Sequence, residues 1–415
     1  MTTESTSSPA PHTADPTETA AWIHSLTVED LATDTDAICA RLRREAPLAF
    51  LPSINSWVAT NWELCSQISD ATNFIGGTSP IHERVFGTPH VIGAEGEEHL
   101  GLRGAIDPPL RPRSFRGRLE DSVRPVARER IEFLRQSNSA ELMADYFEPI
   151  SVRTVGDLLG FTAVSTDTLR EWFHALSSGI ANAGMDAEGN FLNPAGFERA
   201  DAARAEIRSV VEDIAAQVIE APDGSVVSNW LHGAKDDDSR NIEGFLPSIH
   251  VLLLGGLQEP GHACGSTFLG LTTRPEQIQR VVDDPTLIPR AITEGLRWIS
   301  PLFTGTSRIA VESVELAGAP VEAGQTVWLS YGSANRDESK FKDPATYNLD
   351  RPIDRHLAFG HGRHACSGSA FAPQVARIAL EELFQAFPGI SLGEKTDPNV
   401  WGWFFRGPQQ LHVTW

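Results

Sequence analysis

Cysteine is scarce in this chain, with four residues in 415: Cys39, Cys65, Cys264 and Cys366. They stand far apart and form no C-x-x-C pair, which argues against a zinc site and a disulfide framework. Reduced thiols in a cytoplasmic protein are the expectation. Basic residues are also in deficit. Lys and Arg number 34 against 55 Asp and Glu, a net charge of −21, and a general nucleic-acid surface needs the opposite balance. The opening stretch Met1 to Thr19 lacks an apolar run and is rich in Ser, Thr, Pro and Ala, so it reads as neither signal peptide nor membrane anchor. Residues 1–20 are expected to form a disordered tail. There is no internal repeat and no long Gly/Ser-rich linker, so residues 21–415 are expected to fold as one domain around a large core. No G-x-G-x-x-G follows a strand and no cysteines cluster, so the chain carries no flavin or iron–sulfur module of its own.

What is present is mostly helical periodicity. Asp121–Arg135, Thr166–Ile180, Phe197–Ile219 and Val375–Phe387 space apolar residues three and four apart. Strand-like stretches are shorter: Leu48–Leu51, Ser56–Ala59, Val314–Leu316 and Thr326–Ser330. The fold class is therefore mainly α with a small β-rich region. Between Asn241 and Leu271 a nearly all-apolar helical pattern is interrupted by Gly255-Gly256-Leu257-Gln258-Glu259-Pro260-Gly261. A helix apolar all round is buried, and proline inside one costs about 3 kcal/mol. That cost points to a functional site, with a plain helix-turn-helix as the alternative.

Cys366 is the cysteine with an unusual setting. Gly360, Gly362 and Gly368 bracket it, and a helical pattern over Phe371–Phe387 follows. Glycines allow close approach of backbone amides to a sulfur, and the start of the next helix adds a positive dipole end. Both favour a thiolate of the kind that iron binds.

The pattern Phe359-x-x-Gly362-x-x-x-Cys366-x-Gly368 resembles the haem-binding signature of the cytochrome P450 superfamily. Glu294-Gly-Leu-Arg297 is an E-x-x-R pair on one helical face, and Arg351 sits where the family's third member is expected. His99-x-x-x-Arg103, Arg308 and His364 match its haem-propionate positions. The resemblance implies a triangular helical prism around a buried haem b, with Cys366 as iron ligand and Glu294, Arg297 and Arg351 as a structural network.

Longer stretches resemble one branch, the bacterial guaiacol O-demethylases: Leu169–Phe173, Asp283–Pro301, Leu329–Asn335 and Trp401–Trp415. That likeness implies conversion of lignin-derived methoxyphenols to catechols and formaldehyde. Glu259 stands where most bacterial relatives place a threonine, with Gln258 before it. Pro260 has no N–H, which deprives the Gly256 carbonyl of its helical donor. Glu259, Gly256 and Gln258 are thus the catalytic candidates, with Glu259 carrying protons if burial raises its pKa. Phe86, Ile180, Val251, Gly255, Leu302, Thr306 and Phe405 match substrate positions. Ile180 replaces a phenylalanine of the branch, which implies room for a 4-alkylguaiacol. Electrons are expected from NADH through a separate reductase with iron–sulfur and flavin centres, docking near Arg111, Arg113, Arg116 and Arg118. A peroxide-driven peroxygenase and a non-catalytic haem sensor are the competing readings.

Overall fold

A computed structural model describes residues 15–180, 194–233, 241–352, 354–393 and 397–415. Helices dominate, and the periodic segments fold close to expectation: Arg118–Leu134, Thr166–Ile180, Pro194–Glu220 and Ala372–Ala386. Residues 15–20, expected in the tail, belong instead to a helix and its cap. Asp15 caps a helix over Pro16–Ser25 by accepting from the Thr17 amide, Pro16 stands in its first turn, and Thr19 donates to Glu45 at 2.9 Å. An acidic cap followed by proline is a helix start, and the low hydrophobicity of the stretch hides it. Residues 1–14 lie outside the described residues.

Among the described residues, four small sheets complete the architecture. The largest orders its strands Leu48–Leu51, Ser56–Ala59, Thr326–Leu329, Thr306–Ala310 and Phe74–Gly76, with the second and third parallel and the other neighbours antiparallel. Thr306–Ala310 and Phe74–Gly76 escaped the sequence reading because neither alternates cleanly. The carboxyl-terminal strand His412–Thr414 lies between Ser139–Glu141 and Ser391–Leu392.

The central apolar segment is two helices, Leu246–Gly256 and Glu259–Thr272, separated at Leu257–Gln258. Ser151 Oγ donates to the Leu257 carbonyl at 2.5 Å and so satisfies an acceptor that the break exposes. The second half is buried almost along its whole length and crosses the helix Ile288–Trp298 closely. A Cβ on Gly295 would sit 2.4 Å from Thr267 Oγ1, so the first variable position of the E-x-x-R motif is filled by the one residue that permits the crossing.

That crossing buries an ion network. Glu294 Oε2 and Oε1 accept from Arg297 at 2.8 and 2.9 Å, and Arg351 Nε donates to the same carboxylate at 2.9 and 3.1 Å. Arg297 also donates to the carbonyls of Asn335 and Pro344, both at 2.9 Å. With every donor directed at an oxygen, removal of the single anion is the costly change. Glu294→Ala should therefore destabilise the fold by about 3–5 kcal/mol, measured as a lowered urea midpoint. A variant that unfolds at the wild-type midpoint would show the network to be energetically idle.

Candidate functional site

Cys366 lies between two single turns of 3-10 helix, Gly362–His364 and Ser367–Ser369, ahead of the helix Ala372–Ala386. The loop is shaped by its own backbone: the Cys366 amide donates to the Phe359 carbonyl at 2.9 Å, and the Ala365 amide to that of Gly362 at 3.0 Å. Gly362 has φ +72°, and a Cβ there would stand 2.5 Å from the Ser69 carbonyl oxygen, so only glycine fits. The Gly368 amide donates to Cys366 Sγ at 3.3 Å. Burial raises the Cys366 thiol pKa, and this amide opposes the rise. Cys39, Cys65 and Cys264 are buried; Cys366 is exposed and lines a cavity of about 280 Å³.

Side chains from distant segments hold the loop against the helix Gly96–Ile106. Arg103 donates to the Ala365 carbonyl and to Asp107, both at 2.8 Å, and Ser367 donates to Asp107 at 2.7 Å. Nearby are the other predicted propionate partners. The His99 and His364 rings are 4.4 Å apart, and Arg308 is almost fully buried with Nε and Nη2 unpartnered. His99 Nε2 is likewise buried without a partner. A buried guanidinium with two idle donors is costly unless an anion completes it. Haem carries two carboxylates, so the unsatisfied donors beside an accessible thiol fit it. Sequence reasoning missed Glu95, which accepts from Arg363 at 2.9 Å and from His364 at 3.0 Å. It precedes the helix with no local motif to mark it.

Across the cavity lies the helix break. Gly255, Gly256, Glu259 and Pro260 all line the cavity. Both Glu259 carboxyl oxygens are buried without a partner, and burial pushes its pKa up to about 8. Gln258 departs from expectation. Its amide turns to Glu148, donating at 2.7 Å, and it does not line the cavity. Glu148 had no signal in the sequence, because its partners come from elsewhere in the chain, Arg170 and His174 from the helix Thr166–Ile180 and Gln258 from the break. Desolvation alone would raise Glu148, but His174, Arg170 and Gln258 together outweigh it and hold the carboxyl at about 2.

The remaining predicted positions converge. Phe86, Ile180, Val251, Leu302 and Phe405 line the same cavity. Leu302 and Phe405 are brought there by an antiparallel bridge between them, flanked by the Phe303 amide donating to the Phe404 carbonyl at 2.8 Å. Thr306 begins a strand, but its side chain lies outside the described residues. Among the further lining residues that went unread are Phe404 and His82. His82 could have been noticed as the third residue after Ser79 at a helix start.

The pKa of Glu259 sets a testable pH dependence. Between its usual 4.5 and about 8 the folded protein keeps a proton that the unfolded chain has released, so stability falls as pH rises through that window. Unfolding free energies at pH 5.5 and 8 should show this loss in the wild type and a smaller one in Glu259→Gln. Equal losses would place the titrating group elsewhere.

The geometry agrees with what comparison with known proteins finds. The family model for cytochrome P450 matches residues 277–413. Mycinamicin IV hydroxylase/epoxidase of Micromonospora griseorubida is 30% identical over 374 residues, covering 87% of this chain and 89% of that protein. Nocardicin C N-oxygenase of Nocardia uniformis subsp. tsuyamanensis is 32% identical, with 77% of each chain covered. Among solved structures, myxobacterial cytochrome P450 CYP267B1 in complex with myristic acid superposes with a TM-score of 0.80 at 26% identity, covering 93% of this chain and 97% of that one.

Proposed function

The chain belongs to the cytochrome P450 family, and from that premise we propose that this monooxygenase O-demethylates small methoxyphenols, guaiacol or 4-alkylguaiacols, to catechols and formaldehyde. The observation that carries the reading is the cavity. Its lining is largely apolar, with Cys366 and Glu259 among its few polar groups, which suits a mainly hydrocarbon ring carrying few polar substituents. Phe86, Phe404 and Phe405 offer aromatic surface for a flat arene, and Ile180 leaves space beside it. The O-demethylase-like segments at Asp283–Pro301 and Trp401–Trp415 point the same way. The curated relatives named above act on a mycinamicin and a nocardicin.

Cys366 would hold haem b through its sulfur, with His99, Arg103, Arg308 and His364 facing the propionates. When bound, the haem supplies activation of O₂. Overall, the methoxyarene, O₂, two electrons and two protons yield a phenol, formaldehyde and water. The chain's own part is threefold. The Gly368 amide tempers the electron density on Cys366 Sγ. Apolar walls exclude water and orient the ether. Glu259, protonated below about pH 8, holds a proton on the cavity wall, and Gly256 offers a carbonyl that Pro260 cannot engage. The family draws electrons from a redox partner. We propose an NADH-dependent reductase with iron–sulfur and flavin centres, docking on Arg111, Arg113, Arg116 and Arg118. All four are exposed, and Phe115 among them packs edge-on against Phe371 at 5.4 Å, just beyond the thiolate loop.

Reconstitution with such a reductase and a panel of methoxyphenols should give catechol and formaldehyde in equal amounts. No formaldehyde from any member would overturn the reading. Glu259→Gln should slow turnover on the order of 10²-fold with substrate affinity unchanged. Ile180→Phe should weaken 4-propylguaiacol roughly tenfold relative to guaiacol, read by spectral titration. Reversing Arg113 and Arg116 to Glu should slow reductase-driven turnover at low salt and leave substrate binding intact; unchanged rates would move the docking site elsewhere.

A further inference from the structure

One polar side chain of the cavity has no place in the thiolate loop, the cationic cradle or the helix break. His82, on the helix Pro80–Phe86, is 5% exposed and lines the cavity. Its Nδ1 is committed. The Ser79 amide donates to it at 3.4 Å, and Ser79 Oγ lies 2.9 Å away. Ser79 Oγ already accepts from the His82 amide, so its own hydrogen is available to Nδ1. An Nδ1 that accepts from a backbone N–H carries no proton, and a neutral imidazole then carries its proton on Nε2. Burial, chiefly, holds the ring pKa down at about 4, so it is neutral at physiological pH.

Nε2–H has no partner among the described residues. The ring is also fixed in place. It stacks on Phe86 with centroids 5.7 Å apart and is flanked by Trp328 at 5.8 Å and Phe404 at 6.3 Å. Other polar groups of the cavity are already assigned: Arg103 to Ala365 and Asp107, His364 to Glu95, and the Tyr331 hydroxyl to Ser69 at 2.9 Å. His82 is therefore a preorganised, uncharged donor set in an aromatic wall.

Resting on the reading that this cavity takes a small methoxyarene, we propose that His82 is a specificity-determining residue whose Nε2–H donates to a neutral oxygen on the ring other than the methoxyl. The class so selected is methoxyarenes with a hydroxyl or carbonyl oxygen. A hydrocarbon-substituted analogue leaves the donor buried and unpaired, and a ring carboxylate finds no cation there to offset its desolvation.

Two pairs of ligands isolate the contact: 2-methoxyphenol against methoxybenzene, and 4-hydroxy-3-methoxyacetophenone against 4-ethyl-2-methoxyphenol. Members of each pair differ by one oxygen. In the holoenzyme at least one pair should show the oxygenated member bound roughly tenfold to a hundredfold more tightly. His82→Leu should collapse that ratio toward one, and His82→Gln, which keeps an amide donor, should restore part of it. Either pair responding supports the assignment and identifies which oxygen is held. If neither ratio moves in His82→Leu while the arenes still bind, His82 is a wall residue and the inference falls. If wild-type enzyme binds and demethylates none of the four, it is the proposed reaction that fails.

Discussion

The position of one sulfur atom is fixed by a loop that has almost no regular secondary structure, and much of the surrounding fold supplies its constraints. The Leu357 amide donates to Asn335 Oδ1 at 2.6 Å, and Asn335 Nδ2 donates to Ser300 at 2.9 Å. The Asn335 carbonyl accepts from Arg297, which is clamped by Glu294. A continuous run of hydrogen bonds thus leads from the buried ion network to the start of the segment bearing Cys366. At its other end Arg103 and Ser367 meet on Asp107, and Gly362 presses on Ser69. A backbone pinned from both sides can present a thiol to a cavity without a helix or strand to carry it.

The same economy governs charge. In a protein with net charge −21, the nitrogen donors near the loop are concentrated where they remain partly unsatisfied. Arg308 Nε and Nη2 and His99 Nε2 are buried without partners, a cost that an incoming dianion relieves. Binding energy for the prosthetic group then doubles as folding energy, since a ligand held only by the native state stabilises it by mass action. Glu95 provides an internal anion for Arg363 and His364 and keeps the cradle from being wholly uncompensated.

The parts of this site that sequence discloses are those whose chemistry is local in the chain. The thiolate loop, the E-x-x-R pair and the Gly-Gly-Leu-Gln-Glu-Pro interruption each fit within eleven residues, and their spacing carries their meaning. Arg351 and Arg308 required the family resemblance, because the chain brings them back from elsewhere. Glu95 and Glu148 were invisible for the same reason without that aid. The role of Glu148 exists only because Arg170, His174 and Gln258 gather on it. Helices with long apolar stripes were legible, whereas strands of two residues, such as Val400–Trp401 and Gly407–Pro408, have too short a pattern to read. Gln258 was misdirected because side-chain orientation at a helix break obeys neither helical nor strand periodicity.

That misdirection explains the acid across the cavity. Two carboxyl groups flank the break, and their surroundings drive them apart: Glu148 is held at about 2 and Glu259 at about 8. Gln258 is what separates their roles. By committing its side-chain amide to Glu148, it leaves only the backbone amides of Gln258 and Glu259 to favour a Glu259 carboxylate, and desolvation outweighs them. Pro260, lacking an N–H, withholds another. The first turn of the second half-helix therefore begins with an acid that is cheaper to keep neutral than to ionise. A threonine in its place would offer a hydroxyl but no exchangeable acid near neutrality. The break does more than free a carbonyl. It assembles, from an amide turned outward and an imino acid, the apolar setting in which a carboxylic acid stays protonated beside a thiol.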